Sequence, residues 1–274
     1  MRLVLTDLIP SVLRDGHFWG GALGLAASAV AVIAAVRAFE GLARRWWRRS
    51  LGARRHQQAL IDQLVCLESM AYVRQFLGEP VFTQPLLGGR ELLYRLPGSW
   101  VWILSVNDSV MAFGVTVTKR RMFVRTDWMS AGQLKLKLGR STFGTMKATS
   151  EASSARFVMG ARNAWYDEEY YFGNPGNPGN HLTYVVSYND LGAAGGDGFV
   201  DHRGASLRQF SNGNFSGFPY EATDEKQPRP PGLTANTIAV IGPEIALSDL
   251  VAATQYRPLG AQYDVVRAFR GAQN

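Results

Sequence analysis

Residues 18–36 carry no ionisable side chain, and Arg37, Arg44, Arg45, Trp46, Trp47, Arg48, Arg49, Arg54 and Arg55 follow them at once. At a helical rise of about 1.5 Å per residue the run reaches about 28 Å, close to the hydrocarbon thickness of a bilayer, so it reads as one membrane span. A cleaved signal peptide would place its positive charge before a shorter apolar stretch ending in small residues such as Ala27, Ala29 and Ala31; here the charge comes after. A buried core helix is the third reading, but such helices are usually shorter and rarely end in an arginine-tryptophan block.

The flanking charge orients the span. Arg2 and Arg14 are balanced by Asp7 and Asp15, whereas seven arginines in residues 37–55 face Glu40 alone. Lys and Arg next to a span stay on the cytoplasmic side, so the N-terminus is expected outside and the C-terminal part in the cytoplasm. Gly20, Gly24 and Ser28 recur every fourth residue and offer a small-residue face on which a homodimer can form, although Gly and Ala are common in spans for other reasons. Trp19 at one end and Trp46 with Trp47 at the other suit headgroup depth, where an indole ring is apolar and its N–H stays wet. The organisation expected is a short external tail (1–17), the span (18–36), a basic juxtamembrane helix (37–55) and a soluble α+β domain (56–274).

A formal charge of +7 invites a nucleic-acid reading, so its location matters. Residues 37–55 hold +6, residues 1–17 sum to zero, and the remainder holds +1. Most of the basicity is therefore a topology signal, and it can also attract anionic lipid at about 1 kcal/mol per cation. One local patch stands out: Lys119, Arg120, Arg121, Arg125, Lys135, Lys137, Arg140 and Lys147 are opposed within residues 119–147 only by Asp127. In Leu134-Lys135-Leu136-Lys137-Leu138 the alternation turns the leucines inward and both lysines to a solvated face. With Phe123, Trp128 and Phe143 nearby, this face is a candidate binder of anionic lipid or nucleic acid through Lys119, Arg121, Arg125, Lys135, Lys137 and Arg140. No nucleic-acid-binding fold signature accompanies it, which disfavours nucleic acid.

The single cysteine leaves no internal disulfide and no cysteine-rich metal site, in agreement with a reducing compartment. Cys66 falls in a helical pattern with Leu60, Ile61, Leu64, Leu67, Met70 and Ala71, so it is expected to pack as a small apolar side chain. That helix, residues 56–77, should stop at Leu77-Gly78-Glu79-Pro80, where Gly suits a cap and Pro forbids continuation. Residues 91–96, 100–106 and 110–118 read as strands joined by tight turns at Pro97-Gly98 and Asn107-Asp108. An antiparallel meander with the helix on its apolar face follows. Further strands are expected near residues 121–126, 135–138, 170–172, 182–188 and 237–242, and a helix near 247–254.

Ile103-Leu104-Ser105-Val106-Asn107-Asp108 matches Val185-Val186-Ser187-Tyr188-Asn189-Asp190 at a spacing of 82, and Arg74, Leu77 and Gly78 meet Arg156, Met159 and Gly160 at the same spacing. A duplication of residues 56–118 in 140–192 explains both, each unit being a helix ending in Gly followed by an antiparallel sheet; two ordinary hairpins explain them as well. This plan resembles the helix-plus-meander modules of the β-lactamase-inhibitor-protein and outer-membrane-lipoprotein type, which implies protein binding without catalysis. Phe143-Gly144, Tyr170-Tyr171-Phe172-Gly173-Asn174-Pro175-Gly176-Asn177 and Tyr184 with Tyr188-Asn189-Asp190-Leu191-Gly192 resemble the central block of a family of uncharacterised bacterial single-pass membrane-anchored proteins. The resemblance covers roughly residues 56–220; it implies an inner-membrane protein with a cytoplasmic domain and supplies no functional residues. In physical terms Asn174-Pro175-Gly176-Asn177-Pro178-Gly179-Asn180 is repeated turn chemistry, hence an exposed loop, and Asn174, Asn177 and Asn180 make it a candidate partner surface. Residues 192–217, rich in Gly, Asn and Ser, and the Pro-rich segment 224–232 read as loop or linker.

Catalytic patterns are weak. Asp167-Glu168-Glu169 between Tyr166 and Tyr170 can bind a cation or act as a base, but consecutive strand residues point to opposite faces, and a solvated acidic turn is the simpler expectation. Asp201-His202-Arg203 would need the fold to bring its groups to one atom. His181 opens a strand and His56 belongs to the basic stretch. Gly139-Arg140-Ser141-Thr142-Phe143-Gly144 has phosphate-loop glycine spacing, yet Thr145 and Met146 stand where Lys and Ser/Thr are required. Gly195-Gly196-Asp197-Gly198 occurs once, whereas calcium-binding repeats need several turns. No cofactor or metal is implied, and an enzyme remains the third reading. The favoured one is a membrane-anchored cytoplasmic α+β domain that binds a protein partner or regulates one.

Overall fold

Strands apolar on both faces and two-residue turns set the path of the chain. The computed structural model describes residues 51–119, 122–159, 164–173, 181–189, 232–254, 257–262, 264–266 and 268. The apolar run 18–36 with its small-residue face, the loop 174–180, Arg121 and the Gly-rich and Pro-rich segments up to 231 lie outside the described residues. Contacts divide the chain between Ala53 and Arg54, and the second unit is built as follows. Among the described residues no helix is long and apolar enough to cross a membrane.

Eight strands form one antiparallel sheet. β1 (Phe82–Leu86), β2 (Gly89–Leu96), β3 (Ser99–Val106) and β4 (Ser109–Val117) make a meander. A second meander consists of β9 (Ser154–Met159), β10 (Ala164–Tyr171), β11 (Thr183–Asn189) and β12 (Thr237–Ile241). The order is β1-β2-β3-β4-β12-β11-β10-β9, so the two meanders join edge to edge through β4 and β12. Pro85 sits on the edge strand β1, where a missing N–H blocks addition of a further strand. The sheet is therefore an α+β fold dominated by antiparallel pairing, with few helices.

Both faces are covered, which is why the central strands are continuously apolar. On the first face Val101, Ile103, Phe113, Val115, Ile238 and Val240 meet Ile61, Leu64, Met70 and Val73 together with Leu134, Leu136, Leu138 and Phe143. On the second face Trp102, Leu104, Val185 and Ile241 pack against Leu250, Leu259, Val265 and Val266. The C-terminal segment, including α3 (Leu247–Ala253), is thus part of the same core. Gly260 lets it lie flat: a Cβ there would stand 2.5 Å from Thr116 Oγ1 and 2.9 Å from Thr237 Cγ2.

The expected helix 56–77 is two helices. α1 (Leu51–Ile61) ends before residue 64, and α2 (Met70–Leu77) starts afresh with Ser69 accepting from the Tyr72 N–H as its cap. Between them Leu67 has a φ of 69°, its N–H donates to Val110 O at 2.7 Å, and the Val110 N–H donates to Glu68 O. Pairing with the start of β4 satisfies backbone groups that a continuous helix would have used internally. Of the matched hexads 103–108 and 185–190, residues 103–106 and 185–188 both fall on the third strand of a four-stranded meander, while Asn107 is in the turn after β3, Asn189 ends β11 and Asp190 lies outside the described residues. At the same spacing Arg74 and Leu77 are helical, whereas Arg156 and Met159 are in β9.

An excursion between β4 and β9 forms two ribbons, β5 (Val124–Arg125) with β7 (Lys137–Leu138) and β6 (Leu134–Lys135) with β8 (Lys147–Ala148). Leu134, Leu136 and Leu138 are buried and Lys135 and Lys137 exposed, as the alternation requires. The excursion is latched to the sheet through Gly139 N–H to Ala235 O and Phe143 N–H to Leu233 O, at 2.7 and 2.9 Å. Thr126 Oγ1 donates to Leu134 O and Ser130 Oγ to Thr126 O, which closes its inner turn.

Candidate functional site

The excursion concentrates positive charge on its outer surface. Phe123 is half-buried, and three cations converge on its ring: Arg54 at 4.5 Å, Arg140 at 5.2 Å and Lys137 at 5.9 Å from the centroid. Ring quadrupole attraction supplies about 0.5–1 kcal/mol for each exposed cation, enough to hold side chains that would otherwise separate. The cross-strand register adds repulsion, because Arg125 lies opposite Lys137 and Lys135 opposite Lys147. Like charges directly opposite one another destabilise a ribbon by about 0.2–1 kcal/mol. Arg125 pairs with the Asp127 carboxylate at 2.7 Å. Trp128, in the following turn, is 71% exposed.

This face is tied to the end of α1. Gln58 Nε2 donates to Arg125 O at 2.9 Å, and the Arg125 N–H donates to Gln58 Oε1 at 2.8 Å. Gln58 Nε2 also donates to Asp62 Oδ1. Burial pushes the Asp62 carboxyl above its ordinary range; the Gln58 hydrogen bond and the Arg125 charge pull it back, while Asp127 pushes it further up. Of the residues singled out from sequence, Lys137 and Arg140 meet at Phe123, and Arg125 with Lys137 and Lys135 with Lys147 form the two like-charge pairs. Lys119 is exposed just after β4, its N–H donating to Gly98 O. Arg54, which sequence alone assigns to the topology signal, belongs to the face; the approach of α1 to Phe123 is a tertiary fact.

A second feature has no counterpart in the sequence reading. The turns Leu87-Gly88 and Asn107-Asp108 lie at the same end of the meander beside α2, and with it they border a groove of about 310 Å³. Met70, Arg74, Gly88, Gly89, Arg90 and Asp108 are among its lining residues. Among the described residues, five non-glycine residues have positive φ, and four of them, Leu67, Leu87, Asn107 and Asp108, surround this end of the sheet. Asn and Asp suit a type I′ turn, but leucine does not: a bulky residue at positive φ costs of order 1–3 kcal/mol. Leu67 is 51% and Leu87 38% exposed, so neither strain is recovered by burial. Burial pushes the Tyr94 hydroxyl up; Arg74 opposes that shift and Glu79 adds to it, which places the Arg74 charge within reach of the first core.

The acidic stretch is not the solvated turn expected. Asp167 and Glu168 are buried in β10 on opposite faces of the sheet. Glu168 accepts hydrogen bonds from Tyr166 and Tyr170, and Asp167 binds Arg156 at 2.7 Å. The tyrosines at 166 and 170 share the face of residue 168, so strand periodicity itself builds this cage. Glu91, 2% exposed on the other face, accepts from Trp102 Nε1 at 2.7 Å and from Gln84 and Gln262, with Arg257 at 3.8 Å. Both carboxylates are structural anchors. His181 meets Tyr171 at the chain surface, and Asp201, His202 and Arg203 lie outside the described residues. Among the described residues no group of three or more His, Cys, Asp or Glu is placed to hold a metal ion.

No family model matches this chain, and no curated protein does. A cysteine-rich secretory protein from Staphylococcus aureus is similar at a TM-score of 0.34 and 8% identity, over 72% of this chain and 48% of that one. This chain therefore spans about half the length of that protein. A candidate β-lactamase inhibitor protein from Streptococcus mutans is similar at a TM-score of 0.18 and 10% identity, over 44% of this chain and 76% of that one. The second is by its name of the type that the helix-plus-meander plan resembles; overlap this slight carries no argument about fold, function or site.

Proposed function

We propose that the protein is a single-pass, membrane-anchored binding module whose cytoplasmic α+β domain rests its basic face against anionic headgroups. The observation that carries the reading is the convergence of Arg54, Lys137 and Arg140 on Phe123, beside two like-charge cross-strand pairs. Such an arrangement stores repulsion that phosphodiester groups would relieve, each cation near an anionic leaflet gaining about 1 kcal/mol. Arg54 belongs to the arginine-rich stretch that follows residues 18–36 in the sequence. Exposed Trp128 suits headgroup depth. The resemblance to uncharacterised membrane-anchored bacterial proteins points the same way, as does the arginine asymmetry that sets the N-terminus outside.

Hydrogen exchange of the full chain in nanodiscs tests this reading. Amides of residues 122–148 should exchange more slowly in discs containing anionic lipid than in zwitterionic discs, and the difference should vanish at about 1 M salt, where the Debye length is about 3 Å. Equal exchange in both lipids at low salt would refute the headgroup contact. Recovery of the full chain from the soluble fraction without detergent would refute the anchor.

A further inference from the structure

From the groove at the turn end of the first meander we infer that this domain holds an acidic peptide segment of a partner protein, with carboxylates on Arg74 and Arg90 and apolar side chains against Leu67 and Leu87. This names the partner class for the binding-module reading, yet it shares no residue with the headgroup face.

Arg74 on α2 and Arg90 on β2 both line the groove and are exposed, with Asp108 the one acid among the lining residues. Among the described residues no carboxylate pairs with either guanidinium. Two planar cations on one concavity fit carboxylates in bidentate geometry. Apolar residues frame it: Met70 and Leu92 form the floor, and Leu87 adjoins the Gly88 wall. Leu67 stands beside the second turn, its neighbour Glu68 bonding to Val110 while Met70 N–H donates to Asp108 O at 2.8 Å.

The backbone gives the second, independent argument. Leu87 occupies the first position of a two-residue hairpin turn, between the paired residues Leu86 and Gly89, at a φ of 50°. Asn at that position, followed by Gly88, would make the turn that hairpins favour most. The chain instead carries an exposed leucine in a strained conformation, a choice that lowers stability and is recovered only if that side chain buries against something else. Strain that persists without internal compensation marks binding surfaces. Gly88, at a φ of 72°, has open space about its Cβ position, with no atom within 4 Å.

The test uses full-length protein in nanodiscs to pan a phage library of random dodecapeptides, with empty discs as the counter-selection. Enriched sequences should place Asp or Glu beside Leu, Ile or Phe. Synthesised peptides from that pool should lose at least tenfold in affinity on R74E and on R90E, and about threefold to tenfold on L87N. The same L87N variant should melt higher than the parent, because the turn relaxes; a residue with a merely structural role would not raise stability while weakening binding. K137E with R140E should leave peptide affinity unchanged while abolishing the lipid-dependent exchange difference, which separates failure of the two readings. No enrichment over empty discs, enriched peptides without carboxylates, or affinity indifferent to both R74E and R90E overturns the inference. Loss on K137E with R140E and not on R74E reassigns peptide binding to the other face and overturns it equally.

Discussion

Replacing Glu91 by alanine removes the acceptor at the centre of the second core. Trp102 Nε1–H, on a side chain that is almost wholly buried, then has no partner, at a cost of about 1–3 kcal/mol. Gln84 and Gln262 are only partly buried and recover water, so each loses about 0.5–1 kcal/mol. Arg257 is 34% exposed and 3.8 Å away, and solvent replaces most of its interaction, worth under about 1 kcal/mol. Removing a buried carboxylate also releases its desolvation cost, which offsets part of the sum. The net is about 3 kcal/mol, or a fall in melting temperature of about 6–12 °C for a domain of this size. Glu91→Gln keeps an oxygen for Trp102 and should cost about a third as much, and Arg257→Ala less again. Tryptophan-fluorescence melts of the four proteins supply the order. A Glu91→Ala midpoint within about 2 °C of the parent, or an Arg257→Ala loss equal to that of Glu91→Ala, would refute the view that this carboxylate pins the segment 257–262 to the sheet.

Two further outcomes are expected. Gly260→Ala should destabilise by about 1–3 kcal/mol, since its Cβ meets two β-branched side chains held within the sheet; an unchanged denaturation midpoint would mean that the C-terminal segment does not lie flat on β4 and β12. Burial pushes the Cys66 thiol up to about 12 and the Tyr184 hydroxyl to about 12, the latter with a contribution from Cys66 beside it. Both groups are neutral when protonated and are held so by folding, so their contribution is intact below about pH 9 and drains away as pH rises toward 12. Guanidinium midpoints should therefore be level from pH 7 to 9 and fall by pH 11, less steeply in Cys66→Ala, and the native thiol should resist disulfide reagents at pH 8. Constant stability to pH 11, or rapid labelling of the folded chain, would contradict this.

Sequence periodicity anticipated much of the first meander. Pro97-Gly98 and Asn107-Asp108 mark its turns, and the buried leucines and exposed lysines of residues 134–138 follow their alternation, because pleat period and turn geometry are local properties. The break between α1 and α2 was not legible: residues 60–71 have helical spacing, but Leu67 and Glu68 bond to β4 instead, a contact some forty residues distant along the chain. Asp167-Glu168-Glu169 misled for the same reason. Three acids in a row look solvated until Tyr166, Tyr170 and Arg156 are brought to them by the strand and its neighbour. On the basic face the residue types were visible, while their convergence on Phe123 depended on where α1 docks.

The amino-acid order alone determined an apolar run with its arginine border, the solvent-facing lysines of the excursion and the antiparallel character of the strands, since hydrophobic spacing and turn residues act over a few positions. Tertiary structure decided which charges share a ring, which carboxylates are buried, and that Arg74 and Arg90 line one groove at the end of the sheet where two exposed leucines have positive φ. Those are distances between segments remote in the chain, fixed only when the two meanders join along β4 and β12 and both faces of the sheet are covered.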